Sequence, residues 1–215
     1  MKTALVAGAT GLVGLHLVEE LIKNNQYKKV LVLSRRKMNI KHPKLENRII
    51  DFDQLEALKV AEKIDDCFCA LGTTVKKAGK EGQLKVDYHY VLNLAKWCSA
   101  HRVRRFLVVS SQGASHKSPF FYMRTKGQME EAVKKSGVES IYIVRPSLIT
   151  GKREESRLAE EMGYYLYKAF SPLMIGKLRK MRPIAAAQIA RCMMVLARRT
   201  EKEILTIESD EIQAY

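Results

Sequence analysis

The chain has no run of about 18 apolar residues, so nothing in it reads as a transmembrane helix. It has no Cys-x-x-Cys pair. Its four cysteines, Cys67, Cys69, Cys98 and Cys192, are not set among histidines at zinc-ligand spacing, so no metal site is expected. Cys67 and Cys69 are two apart in an apolar run, so they read as buried, reduced thiols on one strand face. The opening Met1–Gly8 offers one lysine and a short apolar run that glycines soon interrupt, which is not the pattern of an export signal. Internal repeats and low-complexity linkers are missing too. These absences predict a soluble, cytoplasmic chain.

Acidic residues are scarce. There are 38 Lys+Arg against 23 Asp+Glu, a formal net charge of +15. The basic clusters, Arg35–Lys37, Lys76–Lys77, Arg102–Arg105 and Lys177–Arg182, are short and scattered. No aromatic residues alternate with them as stacking platforms, and no basic tail stands out. The charge therefore points to an anionic ligand rather than to a specific nucleic acid. The stretch from Leu166 to Arg182 mixes apolar and cationic residues in a way that would also suit a membrane surface or nucleic acid. A cap helix packed on the core accounts for it more simply.

The 215 residues, 47% hydrophobic, suit one α/β domain. Strands are predicted at Lys2–Ala7, Lys29–Leu33, Arg48–Ile50, Cys67–Leu71, Arg105–Val109, Ile141–Val144 and Glu203–Ile207. Helices are predicted at Leu12–Lys23, Gln54–Glu62, Gln83–Ala100, Phe121–Ser136, Arg153–Phe170 and Ile184–Arg199. This alternation predicts a doubly wound, Rossmann-type parallel sheet whose ligands bind beyond the carboxyl ends of the strands. Residues 151–185 break the pattern, are too few for a second domain, and read as a small C-terminal cap on the substrate side.

The strongest local motif is Gly8-Ala9-Thr10-Gly11-Leu12-Val13-Gly14, between the first strand and the first helix. Gly8 permits a tight turn, Gly11 lets the backbone approach a pyrophosphate, and Gly14 lets helix pack on strand. The helix N-terminus then offers free N–H groups to phosphates, so Gly8, Thr10, Gly11, Leu12, Val13 and Gly14 are candidate cofactor residues. The second strand ends Leu33-Ser34-Arg35-Arg36 without the acid that an NAD site uses for the ribose hydroxyls. Arg35 and Arg36 can instead hold a 2′-phosphate, which favours NADP(H) over NAD(H). After the third strand, Asp51 can accept from an adenine amino group and Phe52 can flank the ring; helix capping by Asp53 is the competing reading.

Tyr122 and Lys126 are four residues apart on one predicted helix face. An ammonium beside a phenol favours the phenolate, so Tyr122 can exchange a proton near neutral pH. Ser111, at the end of the preceding strand, can polarise a carbonyl beside it.

These features resemble the short-chain dehydrogenase/reductase superfamily in its atypical, extended form, and within it the Tat-interacting-protein-like oxidoreductases. The resemblance rests on Gly8–Gly14, Leu33–Lys37, Cys69–Thr74, Val86-Asp87 with Tyr90–Leu92, Ser110–Ala114, Phe121-Tyr122 with Lys126-Gly127, and Arg145-Pro146 with Gly151. It implies a Ser111–Tyr122–Lys126 triad. It also implies that Leu71, Gly72 and Thr73 line the ribose and pyrophosphate, and that Pro146 and Ser147 to Ile149 lie near the nicotinamide amide. The usual Asn-Asn-Ala-Gly run is replaced by Leu71–Thr74, and the helical Asn of many relatives has no certain counterpart: Asn93 is near, whereas Asp87 matches the narrower family. Two functions follow as expectations. One is a carbonyl/alcohol oxidoreductase with a small-molecule substrate. The other is an NADPH-responsive regulator read by a protein partner. A monomer or homodimer is expected.

Overall fold

The structure, a computed structural model, describes residues 1–151 and 182–215. Seven strands form one parallel sheet: β1 (Lys2–Ala7), β2 (Tyr27–Ser34), β3 (Leu45–Ile49), β4 (Asp66–Cys69), β5 (Arg105–Val109), β6 (Ser140–Arg145) and, last in the chain, Ile204–Glu208. A separate two-stranded pair joins β7 (Ile149–Thr150) to β8 (Ile184–Ala185), so Ile204–Glu208 is β9. The helices are α1 (Leu12–Lys23), α2 (Val75–Leu84), α3 (Val91–Ala100), α4 (Phe121–Lys134), α5 (Ala186–Leu196) and α6 (Ser209–Ile212). A π turn, Lys85–Tyr90, joins α2 to α3, and a 3-10 turn, Phe52–Ala57, follows β3.

The sheet order is β3-β2-β1-β4-β5-β6-β9. The chain winds one way from β1 to β3 and the other way from β4, which opens a crevice at the carboxyl ends of β1 and β4. Alternate residues feed two cores. Ala4, Val6, Val32, Phe68 and Tyr142 pack beneath α1 and α5. Leu5, Ala7, Leu33, Cys67, Cys69 and Phe106 pack beneath α3 and α4. Cys67 and Cys69 thus share one face, as their spacing requires. At the amino ends of the strands, buried Asp66 takes bonds from Arg105 (2.7 Å) and Tyr27 (2.6 Å) and faces Lys2 at 3.1 Å. That cluster fixes the edge opposite the crevice.

Several predicted bounds shift. The third strand starts earlier, at Leu45, because its residues are only half-buried and carry little hydrophobic signal. The helix expected at Gln54–Glu62 is only the 3-10 turn Phe52–Ala57. The helix expected at Gln83–Ala100 begins at Val75, and the one expected at Ile184–Arg199 begins with the two residues of β8. The predicted helix Arg153–Phe170, and most of the cap over 151–185, lie outside the described residues.

Burial raises the Cys69 and Cys192 thiols to about 12. It also raises the Cys67 thiol and, with Asp66 beside it, the Tyr27 phenol. The fold therefore favours the protonated forms, whereas the unfolded chain releases these protons at lower pH. Stability contributed by the thiols is intact below about pH 8.5 and falls as pH climbs towards 12. The urea midpoint is expected to drop steeply over that window, and the Cys69→Ala/Cys192→Ala variant is expected to show a shallower slope. Equal slopes would remove the thiols from the account.

Candidate active site

The candidate residues follow the carboxyl ends of β1 to β6. After β1, Gly8 adopts φ +84°. A Cβ there would lie 2.4 Å from the Ala70 carbonyl, and one on Gly14 would lie 2.2 Å from the Gly8 oxygen. Glycine is therefore obligatory at both positions, for a tight turn and for close helix packing. Gly11 caps α1 without a side-chain bond, and the first turn of α1 carries no acid. Its leading N–H groups thus remain available to an anion. Thr10 is exposed at the turn, Leu12 is half-buried and Val13 is buried. Gly151, beyond β7, comes down on Leu12: a Cβ there would meet Leu12 Cδ2 at 3.4 Å.

Arg35 and Arg36 are exposed just past β2. Asn47 on β3 braces their turn: it donates to Ser34 Oγ (2.7 Å) and accepts from the Met38 N–H (2.8 Å), while Ser34 donates to the Arg36 carbonyl (2.6 Å). No side-chain bond engages either arginine among the described residues, so both guanidinium forks are free to take a phosphate.

Two expectations after β3 need correction. Phe52 is buried, 3% exposed, and stacks on Tyr90 with ring centroids 5.4 Å apart, so its ring serves the core and does not flank a ligand. The cap of the following turn is Asp51, which accepts the Asp53 N–H at 2.9 Å. Asp53 instead pairs with Lys85 at 2.6 Å. The turn starts two residues earlier than its sequence suggests, so the capping role falls to Asp51 and not to Asp53. Asp51 stays exposed at the sheet edge.

The centre of the site lies between the π turn and α4. Lys126 is 3% exposed and meets Asp87, 1% exposed, at 2.7 Å. The other Asp87 oxygen accepts the Thr73 N–H at 2.8 Å, and Gly72 lies directly above the pair. The ammonium also reaches the Val109 carbonyl at 3.4 Å. Burial disfavours the charge of Lys126, but Asp87 and the nearby Tyr122 phenol outweigh it and raise the pKa above the ordinary lysine value. Lys126 therefore stays cationic through neutral pH. Asp87 occupies the helical position left uncertain by the sequence. The π turn carries it into the interior, whereas Asn93 lies on the outer flank of α3.

Tyr122 is half-buried one turn above Lys126. Ser111 is half-buried too, and among the described residues its hydroxyl makes only a long 3.4 Å contact to the Gln112 carbonyl. The loop that carries Ser111 is pressed onto α4. The Ser115 N–H donates to the Met123 carbonyl at 3.1 Å, and a Cβ on Gly127 would lie 2.2 Å from the Ser115 backbone. Sequence reasoning missed Glu130, one turn below Lys126 on the same face. It accepts from Ser110 and from Nε and Nη2 of Arg145 (2.9 and 2.5 Å), and so ties β5, α4 and β6 together. Its spacing from Tyr122 and Lys126 was the available signal. Leu71, Thr73, Ser147 and Ile149 are half-buried, Gly72 is exposed, and Pro146 is buried, its carbonyl accepting the Gln112 N–H at 2.9 Å. Two open cavities, of about 470 and 390 Å³, include none of Ser111, Tyr122 or Lys126.

A family profile described as NAD(P)H-binding matches residues 8–169. The chain belongs to this NAD(P)H-binding family. Protein HTATIP2 of Rattus norvegicus is 34% identical over 163 residues, covering 74% of this chain and 67% of the rat protein. The mitochondrial protein fmp52 of Emericella nidulans is 34% identical over 173 residues, covering 77% and 74%. Within the NAD(P)H-binding family the chain is thus an atypical short-chain dehydrogenase/reductase of the HTATIP2 branch. Among solved structures, MoeE5 in complex with UDP-glucuronic acid and NAD superposes with a TM-score of 0.72 at 18% identity, covering 96% of this chain and 76% of that one. The UDP-glucose 4-epimerase of Thermotoga maritima gives 0.68 at 16%, with the same coverage. At these identities the likeness is one of fold. No described helix is long and apolar enough to cross a membrane.

Proposed function

We propose that the protein is an NADP(H)-dependent oxidoreductase that interconverts a carbonyl and an alcohol, using Ser111, Tyr122 and Lys126. The observation that carries this reading is the buried Lys126, held by Asp87 one turn below a half-buried Tyr122, at the sheet edge where Gly8 and Gly14 leave no room for a Cβ. The cradle fits a dinucleotide: Gly8–Gly14 would receive the pyrophosphate, Arg35 and Arg36 the 2′-phosphate, and Asp51 the adenine amino group. Leu71–Thr73 would line the ribose, and Pro146, Ser147 and Ile149 the nicotinamide side. When bound, NADPH supplies a hydride to the carbonyl carbon and becomes NADP⁺. Tyr122 gives its hydroxyl proton to the carbonyl oxygen as the C=O pair moves onto it, and Ser111 orients that oxygen by donating a hydrogen bond. Lys126 keeps a fixed positive charge beside the phenol, which stabilises the phenolate left behind.

In this reading the chain is one domain whose 151–185 segment caps the substrate. Cytoplasmic residence is part of the proposal. The fungal relatives carry "mitochondrial" in their names, so fractionation of the native host decides between the two.

The direct test is titration with NADPH and NADH, followed by nicotinamide fluorescence. NADPH is expected to bind more tightly. The Arg35→Ala/Arg36→Ala variant is expected to lose about 10- to 100-fold in NADPH affinity, as removal of charge-assisted hydrogen bonds implies, and little for NADH. Equal affinities would refute the NADP preference, and no binding of either would refute the cofactor assignment. Tight NADPH binding without turnover across a broad carbonyl panel would favour the regulator.

A further inference from the structure

Helix α2 buries a single side chain, Gln83, at 1% exposure. Its carboxamide oxygen has no hydrogen-bond partner among the described residues. Glutamine is seldom fully buried, and an orphaned buried acceptor is costly to a fold, so natural interiors keep few without a purpose.

The position of Gln83 supplies that purpose. The helical stretch α2–π–α3 and helix α4 both start at the carboxyl edge of the sheet and descend side by side. Near the edge, the Lys80 ammonium lies 6.0 Å from the centre of the Phe121 ring. Deeper down, Asp87 meets Lys126 at 2.7 Å. Gln83 falls between Lys80 and Asp87 on one stretch, and Tyr122 falls between Phe121 and Lys126 on the other. Gln83 precedes Asp87 by four residues, and Tyr122 precedes Lys126 by four. Residues so spaced lie on one helix face, about one turn apart. The buried Asp87–Lys126 contact therefore forms one rung, and Gln83 and Tyr122 occupy the next rung towards the edge.

We propose that Gln83 is a substrate-binding residue, whose carboxamide oxygen accepts a hydrogen bond from a hydroxyl adjacent to the carbonyl that Tyr122 serves. The substrate class is then an α-hydroxy ketone or aldehyde, with the vicinal diol as its reduced partner. This rests on the oxidoreductase reading above. A neutral amide beside a fixed ammonium, in a chain of net charge +15, selects a hydroxyl donor over an ammonium donor.

The test compares wild type with Gln83→Met, which keeps length and removes the polar group. The probes are phenyl hydroxymethyl ketone and phenyl ethyl ketone, which differ by a hydroxyl in place of a methyl. Wild type is expected to favour the hydroxy ketone in kcat/KM by about 100-fold or more, and Gln83→Met is expected to bring that ratio down at least about tenfold. A ratio that survives the substitution overturns the proposal. Melting of the NADPH-loaded proteins gives a readout without turnover. The hydroxy ketone should raise the wild-type midpoint more than the ethyl ketone does, and the difference should vanish in Gln83→Met. Without any ketone, Gln83→Met should melt about 2–4 °C higher, because an orphaned acceptor is gone. A lower midpoint would mean that the fold itself uses the carboxamide and would overturn the proposal. Should wild type reduce neither ketone, the oxidoreductase reading fails, and these melting shifts alone decide whether Gln83 binds the hydroxyl.

Discussion

Replacing Tyr122 with Phe is expected to lower turnover about 1000-fold, within the range that a positioned proton donor contributes. The dissociation constant for NADPH should stay within about threefold. The substitution removes one oxygen and keeps the ring, so the packing of α4 is preserved. That oxygen has no hydrogen-bond partner among the described residues, so no hydrogen bond among them is lost with it. The Asp87–Lys126 contact at 2.7 Å also survives, and no buried charge is orphaned. Steady-state rates with a ketone, together with a fluorescence titration of NADPH, separate the two quantities. Turnover equal to wild type would remove Tyr122 from the chemistry. Loss of NADPH affinity in step with turnover would make the tyrosine a cofactor ligand only.

The parts of the structure legible in the sequence were those written locally. Lys2–Ala7 is a clean apolar strand, Gly8, Gly11 and Gly14 follow at fixed spacing, and Leu12–Lys23 has helical period, so strand, turn and helix fall at those positions. Tyr122 and Lys126 were legible for the same reason, since four residues on one helix need no tertiary information. Phe52 was misread because its neighbour Asp51 sits at the sheet edge. The ring turns inward to Tyr90, 38 residues away in sequence, and that is a tertiary choice. Asp87 meets Lys126 across two helices, and its burial depends on the π turn, which has no strong local signal. Gln83 was invisible for a related reason. Apart from Val75 and Leu84, the rest of α2 is polar or small and mostly exposed, so no apolar stripe marks the side that faces inward. Glu130 was readable, as it continues the Tyr122–Lys126 stripe by one more turn, but its pairing with Arg145 joins α4 to β6 and has no local signal.

Asp87→Leu is expected to destabilise the protein by about 3–5 kcal/mol, the usual result of removing one partner from a buried ion pair. For a chain of this size that is a fall of roughly 6–20 °C in Tm. Both charges are almost fully enclosed, so the Lys126 ammonium would be left with the distant Val109 carbonyl at 3.4 Å. Without Asp87, burial acts on Lys126 with less opposition and pushes its pKa down. The sign of the pH dependence follows. In wild type, where the folded pKa is raised, this pair contributes stability at neutral pH and loses it as pH climbs above the ordinary lysine range. In Asp87→Leu the penalty is largest at neutral pH and relaxes as pH rises towards that range, so the gap between the two proteins should narrow. The double variant Asp87→Leu/Lys126→Met removes both charges and should recover most of the lost stability, which a double-mutant cycle in urea would measure. Asp87→Asn can still accept the Thr73 N–H, so it should fall between wild type and Leu. A loss below about 1 kcal/mol in Asp87→Leu, or a double variant no better than the single, would mean that water or another group compensates Lys126. The same variants bear on function, because the Thr73 N–H bond at 2.8 Å fixes the Leu71–Thr73 segment over the pair. NADPH affinity should therefore weaken in Asp87→Leu and hold in Asp87→Asn, which separates the backbone-holding role of this carboxylate from its charge.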